Sequence, residues 1–270
     1  MAELVDAHCH FDFAVFDGQR EAILEGAKAG GIRTLVVPGV SPRSWASLRR
    51  LASAHDAVRY APGIHPWWVG ESDSWDGVAA LEYEISDPDP RMVAIGECGL
   101  DFLRDDHARQ MELFRAQIRL AERYGYPLLI HSVRSHDEVG ALLRREGFSR
   151  PTLVHGFSGS KQQAVKLMDR GAYIGVGGVI THERARKTRE TIQRLPAESL
   201  VLETDAPDMP PAGVRKGHNS PLNLTRVFET LCELRGADPE SLSSQILANT
   251  ERLFMGRLNA EGLHGEGASV

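Results

Sequence analysis

The sequence predicts a single α/β domain, a (β/α)8 or TIM barrel whose site lies at the C-terminal ends of its strands. Three observations carry that prediction. Eight short apolar runs alternate with helical or loop stretches, a pattern that favours parallel strands with crossover helices. The length of 270 residues suits one such barrel, for which about 250 is typical. Most of the runs also end in a histidine or a carboxylate, where parallel barrels place their chemistry.

The first run, Val5-Asp6-Ala7-His8-Cys9-His10, reads as a strand, so that His8 and His10 share one face and Cys9 turns to the other. Gly18 to Ala29 then has helical apolar spacing through Ala22, Ile23 and Ala27, and Gly30-Gly31 stops it. Ile32 to Val37 makes the second strand. Ser41-Pro42 opens a helix with a capping residue and a proline at its first position. The third strand, Val58 to Ile64, ends at His65-Pro66. A short helix over Trp75 to Ile85 and a proline-rich turn lead to the fourth, Met92 to Gly96, which runs directly into Glu97. Asp105 and Asp106 favour the start of a long helix with Met111, Phe114, Ile118 and Ala121 on one face. Strands five and six, Leu128 to Ile130 and Thr152 to Val154, deliver His131 and His155. After a helix from Lys161 to Met168, Ala172 to Ile180 is the seventh strand, and an Arg-rich helix covers His182 to Arg194. Leu200 to Leu202 is the eighth, ending in Glu203-Thr204-Asp205. The barrel is expected to span residues 1–257 as one domain, with the glycine-rich 258–270 as a flexible tail.

Composition narrows the function classes. Thirty-one Lys and Arg against 37 Asp and Glu leave a net charge of −6, which argues against broad nonspecific binding along nucleic acid. Such a substrate needs local positive charge, and Arg104, Arg134, Lys161, Arg215 and Lys216 all fall in loops after strands. A basic segment followed by a long apolar core is absent near Met1, and no apolar run is long enough to span a membrane. Cys9, Cys98 and Cys232 are odd in number and scattered, with no C-x-x-C pair. We therefore expect a cytoplasmic protein without a disulfide framework.

His8, His10, Glu97, His131, His155 and Asp205 are the candidate metal ligands at the barrel mouth. Six are too many for one tetrahedral ion with an open position and suit two ions sharing a carboxylate. Four imidazoles favour Zn, Mn, Ni or Co over Mg, which prefers oxygen. Two divalent ions and two carboxylates leave the pocket with about +2, which attracts an anion. Asp12, Asp101 and Glu203 are positioned to orient the imidazoles. Cys9 and Cys98 read as buried small hydrophobes, and Gly175-Val176-Gly177-Gly178 as a close-packed strand. His55, His107, His136, His182, His218 and His264 read as surface or loop residues. Trp67, Trp68 and Trp75 either pack over the rim or stack bases.

The chain resembles the TatD family of metal-dependent hydrolases, a branch of the amidohydrolase-type barrels, over almost its whole length. The resemblance rests on His8-Cys9-His10-Phe11-Asp12, Gly63-Ile64-His65-Pro66, Gly96-Glu97-Cys98-Gly99-Leu100-Asp101, Pro127-Leu128-Leu129-Ile130-His131, His155-Gly156-Phe157-Ser158-Gly159 and Glu203-Thr204-Asp205-Ala206-Pro207. Asn219-Ser220-Pro221 and Asn249-Thr250-Glu251-Arg252-Leu253-Phe254 extend it. It implies that His8, His10 and Asp205 hold one ion, that His131 and His155 hold the other, and that Glu97 bridges them. Asp205 would also be the catalytic base on the attacking water. Because Glu97 stands where many superfamily members carry a carbamylated lysine, no such modification is expected. His65 and Arg134 are the expected substrate contacts, His65 on a phosphate. The implied activity is metal-dependent phosphodiester hydrolysis, as a TatD-type deoxyribonuclease resembling a 3'-5' exonuclease. Its expected cofactors are two divalent ions, Zn, Mn or Mg, the last being the metal usually given for the family. DNA or another phosphodiester is the expected partner, with no membrane and no protein partner. The alternative is a binuclear amidohydrolase that cleaves an amide, lactone or ester of a small molecule.

Overall fold

A computed structural model describes residues 2–69, 74–87 and 89–259. Its strands are β1 (Leu4–Asp6), β2 (Ile32–Pro38), β3 (Val58–Ala61), β4 (Ile95–Asp101), β5 (Leu128–Val133), β6 (Thr152–Val154), β7 (Ala172–Val176) and β8 (Leu200–Leu202). Between them run α1 (Arg20–Ala29), α2 (Pro42–Ala54), α3 (Ser74–Ser86), α4 (His107–Tyr124), α5 (His136–Arg145), α6 (Lys161–Met168) and α7 (Arg186–Arg194), and α8 (Leu224–Arg235) and α9 (Pro239–Leu253) follow β8. Strands pair in parallel in the orders β1-β2-β3 and β4-β5-β6-β7-β8. Backbone contacts join these two groups at both seams. Tyr60 bridges Met92 and the Gly96 N–H donates to Pro62 O at 3.0 Å on one side; on the other the Ala7 N–H donates to Leu202 O at 3.0 Å. Gly63 lets the first seam close, since a Cβ there would lie 2.5 Å from Gly96 Cα.

Apolar side chains fill the interior between the strands, with Val5, Ala7, Val36, Val93, Leu129, Leu153 and Val201 all buried. The end of α9 closes the N-terminal opening, where Leu253, Phe254 and Leu258 join the same cluster. Buried Arg59 fastens that plug, its Nε donating to Leu258 O at 2.8 Å. Outside, the helices lay their own apolar faces on the strands through residues such as Ile23, Leu48, Phe114, Ile118, Leu142 and Val227. Among the described residues no helix is long and apolar enough to cross a membrane. Of the tail expected at 258–270, residues from 260 onward lie outside the described ones, and Leu258 itself is buried.

Several boundaries differ from the sequence reading, among them the end of β3 at Ala61, the start of β4 at Ile95 and the end of β5 at Val133, and three have a clear local reason. β1 ends at Asp6, because the Asp6 carboxylate accepts the N–H of His8 (3.3 Å) and of Thr204 (2.9 Å) where a strand ladder would continue. β4 continues through Glu97 to Asp101 rather than stopping at Gly96, pairing Gly99 with His131 and Asp101 with Val133. β7 stops at Val176, where Gly178 meets the 209–211 backbone closely enough that a Cβ would lie 2.5 Å from Met209 O.

Candidate metal centre

The barrel puts its polar residues at the opposite end from the α9 plug. His8 and His10 emerge just beyond β1, on a segment held between neighbours: Cys9 N–H donates to Val36 O (3.1 Å), His10 N–H to Ala206 O (2.8 Å) and Asp205 N–H to His8 O (2.9 Å). Glu97 projects from β4, His131 from β5, His155 from just after β6 and Asp205 from just after β8. All six are buried and converge. Glu97 is the hub. Its Oε2 lies 3.4 Å from His8 Nε2 and 3.3 Å from His10 Nε2, and its Oε1 lies 2.8 Å from His131 Nδ1 and 2.7 Å from His155 Nε2. Asp205 Oδ1 approaches His8 Nε2 at 3.4 Å and His10 Nε2 at 3.5 Å, and the His8 and His155 rings stack 4.0 Å apart.

Buried charge on this scale is costly unless compensated. Burial alone would raise the Glu97 carboxyl, yet the surrounding histidines, His155 foremost, hold it well below the usual carboxylate range. Asp205 is depressed against its own burial by His8 and His155. The histidines divide. Burial would lower His8 and His131, but Glu97 and Asp205 push His8 well up, and Asp101 with Glu97 pushes His131 to about 9. Burial wins at His155, which falls to about 4.

The donor set fits divalent ions. Three groups, His8-His10-Glu97, His8-His155-Asp205 and His65-Glu97-His131, each bring three ligand atoms within 4.8 Å of one another. His8 Nε2 is buried without a hydrogen-bond partner, as a metal-directed nitrogen would be. His155 therefore groups with His8 and Asp205, and the third group adds His65, whose Nε2 lies 3.2 Å from Glu97 Oε1. Arg134 follows β5 on an exposed turn with φ +53° and is not drawn into the cluster.

Of the three acids read as orienting groups, two show clear partners. Asp101 Oδ2 lies 3.4 Å from His131 Nε2 and accepts the Trp67 indole N–H at 2.6 Å. Glu203 accepts the Gly156 N–H at 2.6 Å, directly after His155, and burial pushes its carboxyl up to about 8. Asp12 has one buried oxygen without a partner. Glu203 also explains Gly175, since a Cβ there would collide with the carboxylate. His136 is a correction. Read from sequence as a surface residue, it is buried, stacks on Phe157 and meets Ser132 Oγ at 2.5 Å through Nδ1. Sequence reasoning missed Asp6, whose carboxylate takes the Thr204 hydroxyl at 2.5 Å as well as the two N–H groups, tying the end of β1 to the end of β8. An aspartate inside an apolar run just before a histidine pair was the available signal.

A family profile described as TatD related DNase matches residues 5–255. The chain belongs to the TatD family. It is 41% identical over 256 residues to a protein named "Uncharacterized metal-dependent hydrolase YjjV" from Escherichia coli K12, covering 94% of this chain and 98% of that one. The crystal structure of YjjV, a TatD homologue, superposes with a TM-score of 0.90 over 94% of this chain and 98% of its own. A protein named "3'-5' ssDNA/RNA exonuclease TatD" from Erwinia billingiae is 32% identical over 248 residues, covering 88% of this chain and 94% of that one. A TatD-family hydrolase from Entamoeba histolytica shares the fold at a TM-score of 0.80 and 18% identity, over 94% of this chain and 98% of that one. This TatD-family chain is thus a metal-dependent hydrolase with a barrel fold, and its buried imidazole and carboxylate groups can bind metal.

Proposed function

We propose that this protein is a nuclease, cleaving phosphodiester bonds of single-stranded DNA from an end with two divalent ions at the barrel mouth. The observation that carries the reading is Glu97, with one carboxylate oxygen facing His8 and His10 and the other facing His131 and His155. That arrangement suits a bridging ligand between two sites, with Asp205 completing the first beside His8 and His10. The exonuclease name carried by a relative 32% identical over most of both chains supports the substrate class.

Two ions held there would lower the pKa of a bound water and neutralise charge on the attacked phosphoryl group. The chain's own residues supply the rest. Asp205, on the same side as His8 and His10, accepts the proton of the attacking water. Asp101, its Oδ2 3.4 Å from His131 Nε2, would orient that imidazole electrostatically, with Nδ1 turned to Glu97 and the ions. His65 plays a different part. Its Nδ1 accepts the Trp67 backbone N–H at 3.1 Å, so the neutral ring carries its proton on Nε2. A donor at that position binds a phosphate oxygen rather than a metal, and burial keeps the ring neutral by lowering its pKa. Arg134, exposed beyond β5, adds positive charge at the mouth.

The test is cleavage of end-labelled single-stranded DNA by stripped protein to which Mg, Mn or Zn is returned, run beside Asp205→Asn. We expect metal-dependent shortening from one end and a loss of at least about 10^3-fold in the variant, the scale on which removal of a key transition-state group acts. Metal bound without DNA cleavage would discard the nuclease reading and direct the search to small esters, lactones and amides.

A further inference from the structure

Trp67 stands at the edge of the mouth with half its surface, 50%, open to solvent. Its ring centroid lies 5.0 Å from that of His65 and 6.2 Å from that of His131. It is held in place from two sides. The indole N–H donates to Asp101 Oδ2 at 2.6 Å, and the Arg104 guanidinium lies 4.5 Å from the ring centroid. Leu103, between Asp101 and Arg104 in the chain's turn after β4, is itself 60% exposed. An aromatic side chain fixed by a buried carboxylate has already lost its rotamer freedom, so it binds a flat partner at low entropic cost. Surface tryptophans without such an anchor lack this advantage.

We infer that Trp67, with Arg104 over its ring, forms a stacking subsite for the nucleobase next to the phosphate held at His65, which selects unpaired strands. The inference rests on the phosphodiesterase reading above. Every base offers a π-face, so stacking there tolerates any sequence, and the guanidinium can meet the neighbouring phosphate at the same time. A base inside a duplex has both faces covered by its neighbours, and a terminal one remains paired to the opposite strand, so seating successive bases on the indole requires the end to unpair. Arg104 supplies local positive charge at the ring in a chain whose net charge of −6 argues against broad nonspecific binding along a duplex.

The experiment compares wild type, Trp67→Ala and Trp67→Phe on a single-stranded oligonucleotide and on the same strand made abasic over the terminal positions being removed. For the wild type, loss of the bases should raise KM about tenfold, within the range for one lost stacking contact. Trp67→Ala should raise KM about tenfold on the intact strand and show no further penalty on the abasic one, while Trp67→Phe recovers most of the affinity. Anisotropy of the labelled strands with the Asp205→Asn protein should follow the same order without turnover. Equal penalties for base removal in wild type and Trp67→Ala would overturn the subsite. So would a fall in kcat on both strands with KM unchanged, which would mean that Trp67 acts only through Asp101. A wild type that holds metal but cleaves and binds neither strand would sink the nuclease reading itself, and the subsite with it.

Discussion

The two ends of this barrel handle burial in opposite ways. At the N-terminal end Leu253, Phe254 and Leu258 seal an apolar interior that needs no charge balance, and Arg59 ties the seal through a backbone carbonyl. At the C-terminal end four imidazoles crowd two carboxylates, with buried nitrogens left unpartnered at His8, His10, His131 and His155. The first arrangement stabilises the fold by removing apolar surface from water. The second carries a desolvation cost that only bound ions or shared protons offset. Stability and chemistry should therefore separate along the barrel axis, and substitutions can test whether they do.

The largest expected effect lies at the mouth. Glu97→Gln removes the carboxylate that faces four imidazoles. Hydrolysis should fall by about 10^3-fold or more, with metal content dropping alongside, since a neutral amide is a weak ligand for a divalent ion. The fold should survive. At pH 8 the histidines left behind can release protons instead of remaining as unpaired charges, so the melting temperature of the stripped protein should move by only a few degrees. A collapse of Tm on the scale of a core truncation would break the comparison, because it would make the mouth a stability element.

The complementary substitution is at the floor. Phe254 is fully buried in the plug, and Phe254→Ala should cost about 3–5 kcal/mol, read as a fall in Tm of roughly 10 °C. The kcat of the protein that remains folded should match the wild type, because the cavity opens at the end remote from Glu97. Reduced turnover per folded molecule would show that the plug transmits strain to the mouth.

The same division explains what the sequence could be made to tell. Strand-end histidines and carboxylates were legible because each sits beside a short apolar run, so Glu97, His131, His155 and Asp205 could be placed at one mouth from local pattern alone. The ties that fix their geometry were not. Asp6 and Thr204 are 198 positions apart in the chain, and no local periodicity joins them. Trp67 finds Asp101 across 34 positions, and Gly175 is glycine because Glu203 occupies the space its Cβ would need. Strand period also misled at β1. Alternation correctly put His8 and His10 together and Cys9 away, although the ladder ends at Asp6 and both histidines are held by cross-strand bonds beyond it. His136 was misread because a histidine opening a helix gives no local sign that Ser132 and Phe157 will enclose it.

The smallest effect belongs to neither end and sets the baseline against which the mouth's pH dependence is measured. On the outer ring Glu146 accepts from Arg119 and Arg115, both at 2.7 Å, and these bonds hold its carboxyl below the ordinary value of 4.5. A carboxyl depressed in the folded state contributes stability above its unfolded pKa and loses it as pH falls through the folded value. Both arginines are largely exposed, so solvent screening limits the contribution to about 0.5 kcal/mol. Glu146→Gln should lower Tm by roughly 1–2 °C at pH 7, and the gap from wild type should narrow as the pH is taken below 4.5. If the gap stayed constant with pH, the pair would act by packing alone. Any acid sensitivity left in Glu146→Gln would then have to be sought among the buried groups at the mouth.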